Sequence, residues 1–293
     1  MLKYFGYLLI VLVVLALAAS AVVCLFGGLA ERFQTVGSVR LVAFDDLANM
    51  QSESLRLAAR LEDLDYGRPI LNAWMVFRLG DGWTRSAWTD TTGMTRSIHR
   101  GALGAGRHEF SVSFPDTHPR LDIRARGSVW VLPPGARTLW VDAAALEGAA
   151  GPVASPAGQP GAEAAQAALD TLKTLAAGRQ VVYLVSAPAQ EYALVRRGLQ
   201  EIAAPPGPAI WVTPGEEARR LALVRQAGPN VDAALVCSPA LADAAAMLKV
   251  KVCRVPRAGE SAAGAAEAAG AWADVPGQVS GWRGREKQSG ANP

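Results

Sequence analysis

From Tyr4 to Ala30 the chain carries no charged side chain. As a helix, such a run is long enough to cross a hydrocarbon core of about 30 Å, which takes about 20 residues. The expectation is therefore a single-pass N-terminal anchor over residues 1–35, with the lipid bilayer as partner of residues 4–30. Two other readings compete. Ala19-Ser20-Ala21 fits the small-x-small pattern of a cleaved signal peptide, but the apolar run continues past it. Cys24 invites a lipoprotein reading, yet Val23 is bulky where a small residue is expected. Lys3 lies before the run, and Arg32 after it is offset by Glu31. That bias points to an inside N-terminus and an exported body, periplasmic or extracellular.

The chain has 293 residues with 29 basic and 26 acidic side chains, a net charge of +3. That leaves room for about two domains beyond the anchor, and no basic stripe marks a nucleic-acid partner. Three cysteines make neither a disulfide scaffold nor zinc-type pairs.

Residues 36–135 read as short strands separated by turns. Ser38–Phe44 and Ser54–Leu61 are apolar-rich, and Leu55, Leu57 and Ala59 alternate onto one face. Asn72–Leu79 stops at Gly80-Asp81-Gly82, and Ser86–Thr89 runs into Asp90-Thr91-Thr92-Gly93. His108–Phe114 stops at Pro115, and Leu121–Leu132 at Pro133-Pro134. Six or seven strands at this spacing suggest an antiparallel sandwich. The segment resembles a bacterial immunoglobulin-like module, through Phe77 between Val76 and Arg78, Thr89-Asp90 with Gly93, and Gly106-Arg107-His108 with Phe110, Val112 and Phe114. The resemblance implies a sandwich and no chemistry, with Trp74 as a core aromatic.

Residues 136–258 change grammar to strand–helix alternation. Arg137–Asp142 is a strand ending in Asp. Glu147–Gly161 is Gly, Ala and Pro rich, a flexible linker or insertion. Ala162–Ala177 is helical, with Ala168, Leu169, Leu172 and Leu175 on one face and Gly178 as its stop. Val181–Val185, Ala209–Val212, Ala233–Val236 and Val250–Val255 are strands; helices lie over Pro188–Ile202, Gly215–Ala227 and Pro239–Leu248. This order predicts a doubly wound parallel sheet. Ligands bind such sheets beyond the carboxyl ends of the strands. The candidate site residues are then Asp142, Ser186, Thr213, Cys237 and Ser238.

This order of elements resembles the haloacid dehalogenase-like (HAD-like) phosphohydrolase superfamily, a Rossmann-like fold. The resemblance implies Asp142 as nucleophile, Ser186 with Arg219 and Arg220 as phosphate-binding groups, and a Mg²⁺ ion held by Asp142 and Asp243. Val185-Ser186-Ala187 fits the family's second motif, but the sequence departs from the pattern at three other places. Ala144 stands where the general acid belongs, and a methyl group cannot protonate a leaving group. The helix that carries the family's Lys has Arg219 and Arg220 instead. Cys237-Ser238-Pro239 occupies the place of the acidic metal motif, with Asp243 off register. The simpler reading makes Asp142 and Ser186 helix caps, and Arg219 and Arg220 a solvated helix face.

Other chemistry is sparse. His99, His108 and His118 all fall in the sandwich segment, and no His lies in 136–258 to serve a Ser nucleophile. No phosphate-loop or dinucleotide glycine pattern occurs. Cys237 and Cys253 are buried thiols, or a disulfide in an exported domain. Residues 259–293 read as a disordered tail, with Trp272 and Trp282 as a possible docking segment. The leading expectation is a membrane-anchored binding or scaffold protein with an impaired HAD-like domain, a possible protein partner and no cofactor. The alternatives are a Mg²⁺-dependent phosphohydrolase using Asp142, and a cell-envelope adhesion or assembly module acting through the sandwich.

Overall fold

The computed structural model describes residues 39–80, 82–115, 122–146, 162–256 and 271–279. The expected anchor at 4–30, the linker at 147–161, His118 and Trp282 lie outside the described residues. Among the described residues, no helix is long and apolar enough to cross a membrane.

The N-terminal half is a two-sheet sandwich. One sheet holds β1 (Val39–Phe44), β3 (Ser54–Asp63), β4 (Arg68–Pro69) and β7 (Met94–Arg100), with β3 paired to each of the others. The second runs β2-β9-β8-β5-β6, built from β2 (Asp46–Asn49), β9 (Asp122–Leu132), β8 (Gly106–Pro115), β5 (Trp74–Leu79) and β6 (Trp83–Trp88). The first strand is thus divided. β1 lies antiparallel to β3, and after Asp45 the chain crosses to the other sheet, where β2 runs parallel to β9. This is the strand arrangement of an immunoglobulin-type sandwich. Its core forms because alternate residues face inward: Leu55, Leu57, Ala59 and Leu61 from β3 meet Met75, Phe77, Leu79, Phe110, Val112, Val129 and Val131.

Two sequence expectations need correction here. Trp74 is not a core residue. Met75, Phe77 and Leu79 take the inward positions of β5, so Trp74 faces solvent and stacks edge-on against Trp88 at 4.8 Å. The sandwich also has more strands than expected, because β2, β4 and β7 carry little apolar alternation.

The C-terminal half is a five-stranded, wholly parallel sheet in the order β12-β11-β10-β13-β14. Its strands are β10 (Arg137–Asp142), β11 (Gln180–Val185), β12 (Ala209–Trp211), β13 (Asn230–Val236) and β14 (Val252–Arg254). A short 3-10 turn, Ala143–Leu146, follows β10. The helices are α1 (Ala162–Ala176), α2 (Ala189–Glu201), α3 (Glu217–Ala227), α4 (Pro239–Met247) and α5 over residues 271–279. Continuous apolar strands mark a sheet covered on both faces. On one face Leu139, Val141, Val181, Tyr183 and Leu235 meet Ala168, Leu172 and Leu175 of α1. On the other, Trp140, Val182, Leu184 and Val236 meet Leu221 and Val224 of α3 and Leu241 of α4. Gly178 ends α1 at φ +71°, a conformation that favours glycine.

Residues 271–279 correct the expectation of a disordered tail. They form a helix whose Trp272, Val275 and Val279 enter the first face of the sheet, Trp272 with no exposed surface. The Thr171 hydroxyl donates to the Trp272 carbonyl at 3.2 Å, fixing α5 on α1.

The two halves are joined through Asp45, which is only 3% exposed. Its carboxylate accepts from Ser128 N at 2.8 Å and Ala209 N at 3.3 Å, and lies 3.4 Å from Arg196 Nε. Its own N–H donates to the Tyr192 hydroxyl at 2.9 Å, and that hydroxyl donates to the Ala209 carbonyl at 2.7 Å. A parallel bridge pairs Asp45 with Ile210 on the sheet edge. Around this node Phe44 stacks on Trp211 at 4.6 Å and tilts against Tyr192 at 5.0 Å. Leu47 and Leu132 of the sandwich enter the core beneath α3 and α4.

Candidate functional site

The parallel strands bring Asp142, Ser186, Cys237 and Ser238 to one end of the sheet. Asp142 ends β10 and lies opposite Leu184 in register, two residues before Ser186. The Asp142 side chain bonds the turn that follows its own strand and the β13–α4 connection. Oδ1 accepts from Ala144 N at 3.1 Å; Oδ2 accepts from Ser238 N at 2.9 Å, Cys237 N at 3.3 Å and the Cys237 thiol at 3.2 Å. Ser238 occupies the cap position of α4, but its own side chain makes no cap bond. Asp142, on the neighbouring strand, instead holds the N–H of the cap residue itself and that of Cys237 before it, fixing the entry to α4. At 1% exposure the carboxylate has no open side for a substrate phosphoryl group.

The other members of the expected phosphohydrolase set do not gather around it. Asp243 is exposed on α4 and faces Arg254 at 3.9 Å, so it shares no partner with Asp142. Mg²⁺ requires several oxygen ligands in near-octahedral array. Among the described residues no group of three or more His, Cys, Asp or Glu side chains forms a cluster. With Asp142 buried against backbone N–H groups and Asp243 turned to Arg254, the residues at this strand end do not fit the metal.

Arg219 is exposed beside Glu216 at 3.9 Å. Arg220 departs from both expectations, phosphate ligand and solvated face: it bonds Asp46 Oδ1 at 3.1 Å and the Trp211 carbonyl at 3.2 Å, clamping α3 to the sandwich. Ser186 is half-buried after β11 and does not cap α2, whose cap position is Pro188 without a side-chain bond. Cys237 and Cys253 are not joined in a disulfide; Cys253 Sγ lies 3.1 Å from Gln278 Oε1 of α5. His99 packs edge-on to Trp83, and His108 pairs with the Gly104 carbonyl at 2.7 Å.

A second place offers more space. Between the outer face of β3 and β7 and the β12–α3 connection lies a cleft of ≈ 560 Å³. Arg56 and Arg96 line it from the sandwich, Thr213, Arg219 and Arg220 from the α/β half, and the stacked pair Phe44 and Trp211 forms part of its wall. Its volume falls in the range of small-molecule sites, which favour domain junctions. Asp46 and Glu216 are the acids turned to its arginines, through Arg220 and Arg219. The Arg56 side chain has no ion pair or hydrogen bond among the described residues, and the Arg96 side chain reaches Asp90 at 4.0 Å. Guanidinium groups bind oxyanions through paired N–H donors but cannot exchange protons near neutral pH. The arginines of this cleft therefore offer oxyanion-binding donors. Sequence reasoning missed the cleft because Arg56 and Arg96 stand at outward positions of two strands that pair only in the fold.

No protein-family model matches the chain, and a search of curated proteins gave no match. Among solved structures it is similar to fibronectin(III)-like modules of Clostridium thermocellum CbhA (14% identity, TM-score 0.23, 32% of this chain and 98% of that one). It is also similar to the D0-D1 domain of intimin (19%, 0.22, 33% of this chain and 50% of that one). A sialyltransferase from Photobacterium damsela matches over 63% of this chain and 34% of its own, at 9% identity and TM-score 0.20. Scores this low decide nothing about activity, and the sandwich rests on its own strand pairing.

Proposed function

We propose that the chain is a membrane-anchored binding protein, in which a HAD-like α/β fold without phosphohydrolase chemistry stands beside an immunoglobulin-type sandwich. The observation that carries this reading is the buried Asp142 carboxylate: a nucleophile must face its substrate, and here a side chain only 1% exposed holds the N–H groups of Ala144, Cys237 and Ser238. Ala144 in the acid position supports the same reading. In this proposal the ligand enters the arginine-lined cleft between the halves, and an oxyanion on an apolar body suits guanidinium groups set against Phe44 and Trp211.

Phenyl phosphate serves as both substrate and binding probe. The full chain is expected to release no phosphate above background with Mg²⁺ or with chelator. The probe is expected to alter tryptophan fluorescence, and the change is expected to weaken in Arg56→Ala. Asp142→Ala is expected to lower stability by about 2 kcal/mol, because buried N–H donors lose their acceptor. Mg²⁺-dependent turnover that disappears in Asp142→Asn would overturn the proposal.

A further inference from the structure

The exposed apolar side chains of the sandwich are unevenly placed. Leu64, Tyr66, Leu71, Trp74 and Trp88 are 42 to 63% exposed, and strand pairing brings them to one end. β3 finishes there at Asp63, beside Arg68, so Leu64 and Tyr66 lie in the turn between them. β5 starts there with Trp74, directly opposite Trp88 at the finish of β6. Backbone bonds between Asn72 and Thr89 and between Thr89 and Ala73 hold the neighbouring segment with Leu71 at the same end. β1 also begins at this end, since Val39 pairs with Asp63.

That last pairing matters because of what precedes it in the sequence. The uncharged run ends at Ala30, and the residues between Ala30 and Val39 can span at most about 30 Å when fully extended. A bilayer holding residues 4–30 would therefore lie within that reach of the tryptophan-bearing end. Trp and Tyr concentrate at membrane–water interfaces, where an apolar ring and a polar N–H or O–H meet their preferred surroundings together. The Arg68 guanidinium sits 6.0 Å from the centre of the Tyr66 ring, so this end also carries a cation of the kind that lipid phosphates attract.

We propose that this end of the sandwich, with Tyr66, Trp74 and Trp88 as its contacts, rests in the headgroup layer of the bilayer that holds the chain. The proposal rests on the anchor reading of residues 4–30. It makes the first half of the soluble body a seated module with a fixed orientation to the membrane.

The test uses the full chain reconstituted into phosphatidylcholine vesicles with brominated acyl chains. Flotation of the vesicles after alkaline carbonate treatment reads the anchor. Tryptophan quenching by the brominated lipid reads the contact. The expected result is a chain that floats and is quenched, with loss of the Trp74 and Trp88 share of the quenching in Trp74→Phe/Trp88→Phe. Trp130→Phe, near the other end of the sheet, should keep that share. Flotation with equal quenching in wild type and the double variant overturns the seating and leaves the anchor standing. Failure to float overturns both. Both tryptophans are exposed, so the double variant should keep the wild-type urea midpoint, which separates lost contact from lost fold.

Discussion

Asp45→Ala gives the sharpest test of how the two halves are held. The substitution removes the acceptor of Ser128 N and Ala209 N and the carboxylate facing Arg196. A buried donor left without a partner costs about 1–3 kcal/mol, so two cost about 2–6 kcal/mol. Removing a buried carboxylate relieves part of its desolvation cost, which brings the expected loss to about 2–4 kcal/mol. Urea unfolding at neutral pH in mild detergent, followed by tryptophan fluorescence, measures it. The pH dependence adds a second check. Burial pushes the Asp45 carboxyl above its ordinary value of 3.8, against the lowering pull of Arg196 and the Ser128 and Ala209 N–H groups. The folded chain therefore holds this proton more tightly than the unfolded chain does. Asp45 contributes most below pH 3.8, and its contribution declines as pH rises through the folded value. The stability deficit of Asp45→Asn should accordingly narrow as pH rises over that window. An Asp45→Ala protein within about 0.5 kcal/mol of wild type would refute the view that this carboxylate closes the junction.

Other perturbations probe separate parts of the fold. Trp272→Ala empties a fully buried position beneath the parallel sheet and should cost about 3–5 kcal/mol by urea denaturation; a null effect would mean that α5 does not pack there. Gly207→Ala would drive a Cβ into the Val181 carbonyl oxygen, so the β12 approach must shift; an expected loss of about 3 kcal/mol is checked by thermal melting. Burial raises the Cys253 thiol above its ordinary value, leaving less thiolate at neutral pH, so mass-spectrometric mapping of alkylation should find Cys237 modified before Cys253.

The parallel half was legible because its strands are continuous apolar runs such as Val181–Val185, a pattern that needs no partner to be recognised. β7 was not legible for a definite reason. Its inward residues include Thr95 and Ser97, which are buried but polar, so the alternation carries no hydrophobic signal. The orientation of Trp74 was readable in the alternation of Met75, Phe77 and Leu79, because strand parity outranks residue size in deciding which side chains turn inward. The α5 stripe was readable too, since Trp272, Val275 and Val279 follow helical spacing, but the Ala- and Gly-rich surroundings obscured it. Asp45 offered no local sign. Its partners Ser128, Tyr192, Arg196 and Ala209 converge only after both halves fold, and an Asp beside an apolar strand looks like any strand-end carboxylate.

The divided first strand gives the protein a mechanical character. β2 runs parallel to β9, and β9 continues directly toward the α/β half. Traction on the chain ahead of β2, opposed by a load on the chain after β9, draws these two strands past each other along their length. Their ladder is then strained in shear, with its bonds resisting together rather than parting one by one. The crossing at Asp45 lies at the start of that ladder, and its carboxylate grips β9 at Ser128 and the β12 edge at Ala209. A pull arriving from the N-terminal side would thus meet a locked joint shared by three sheets before it could peel any one of them.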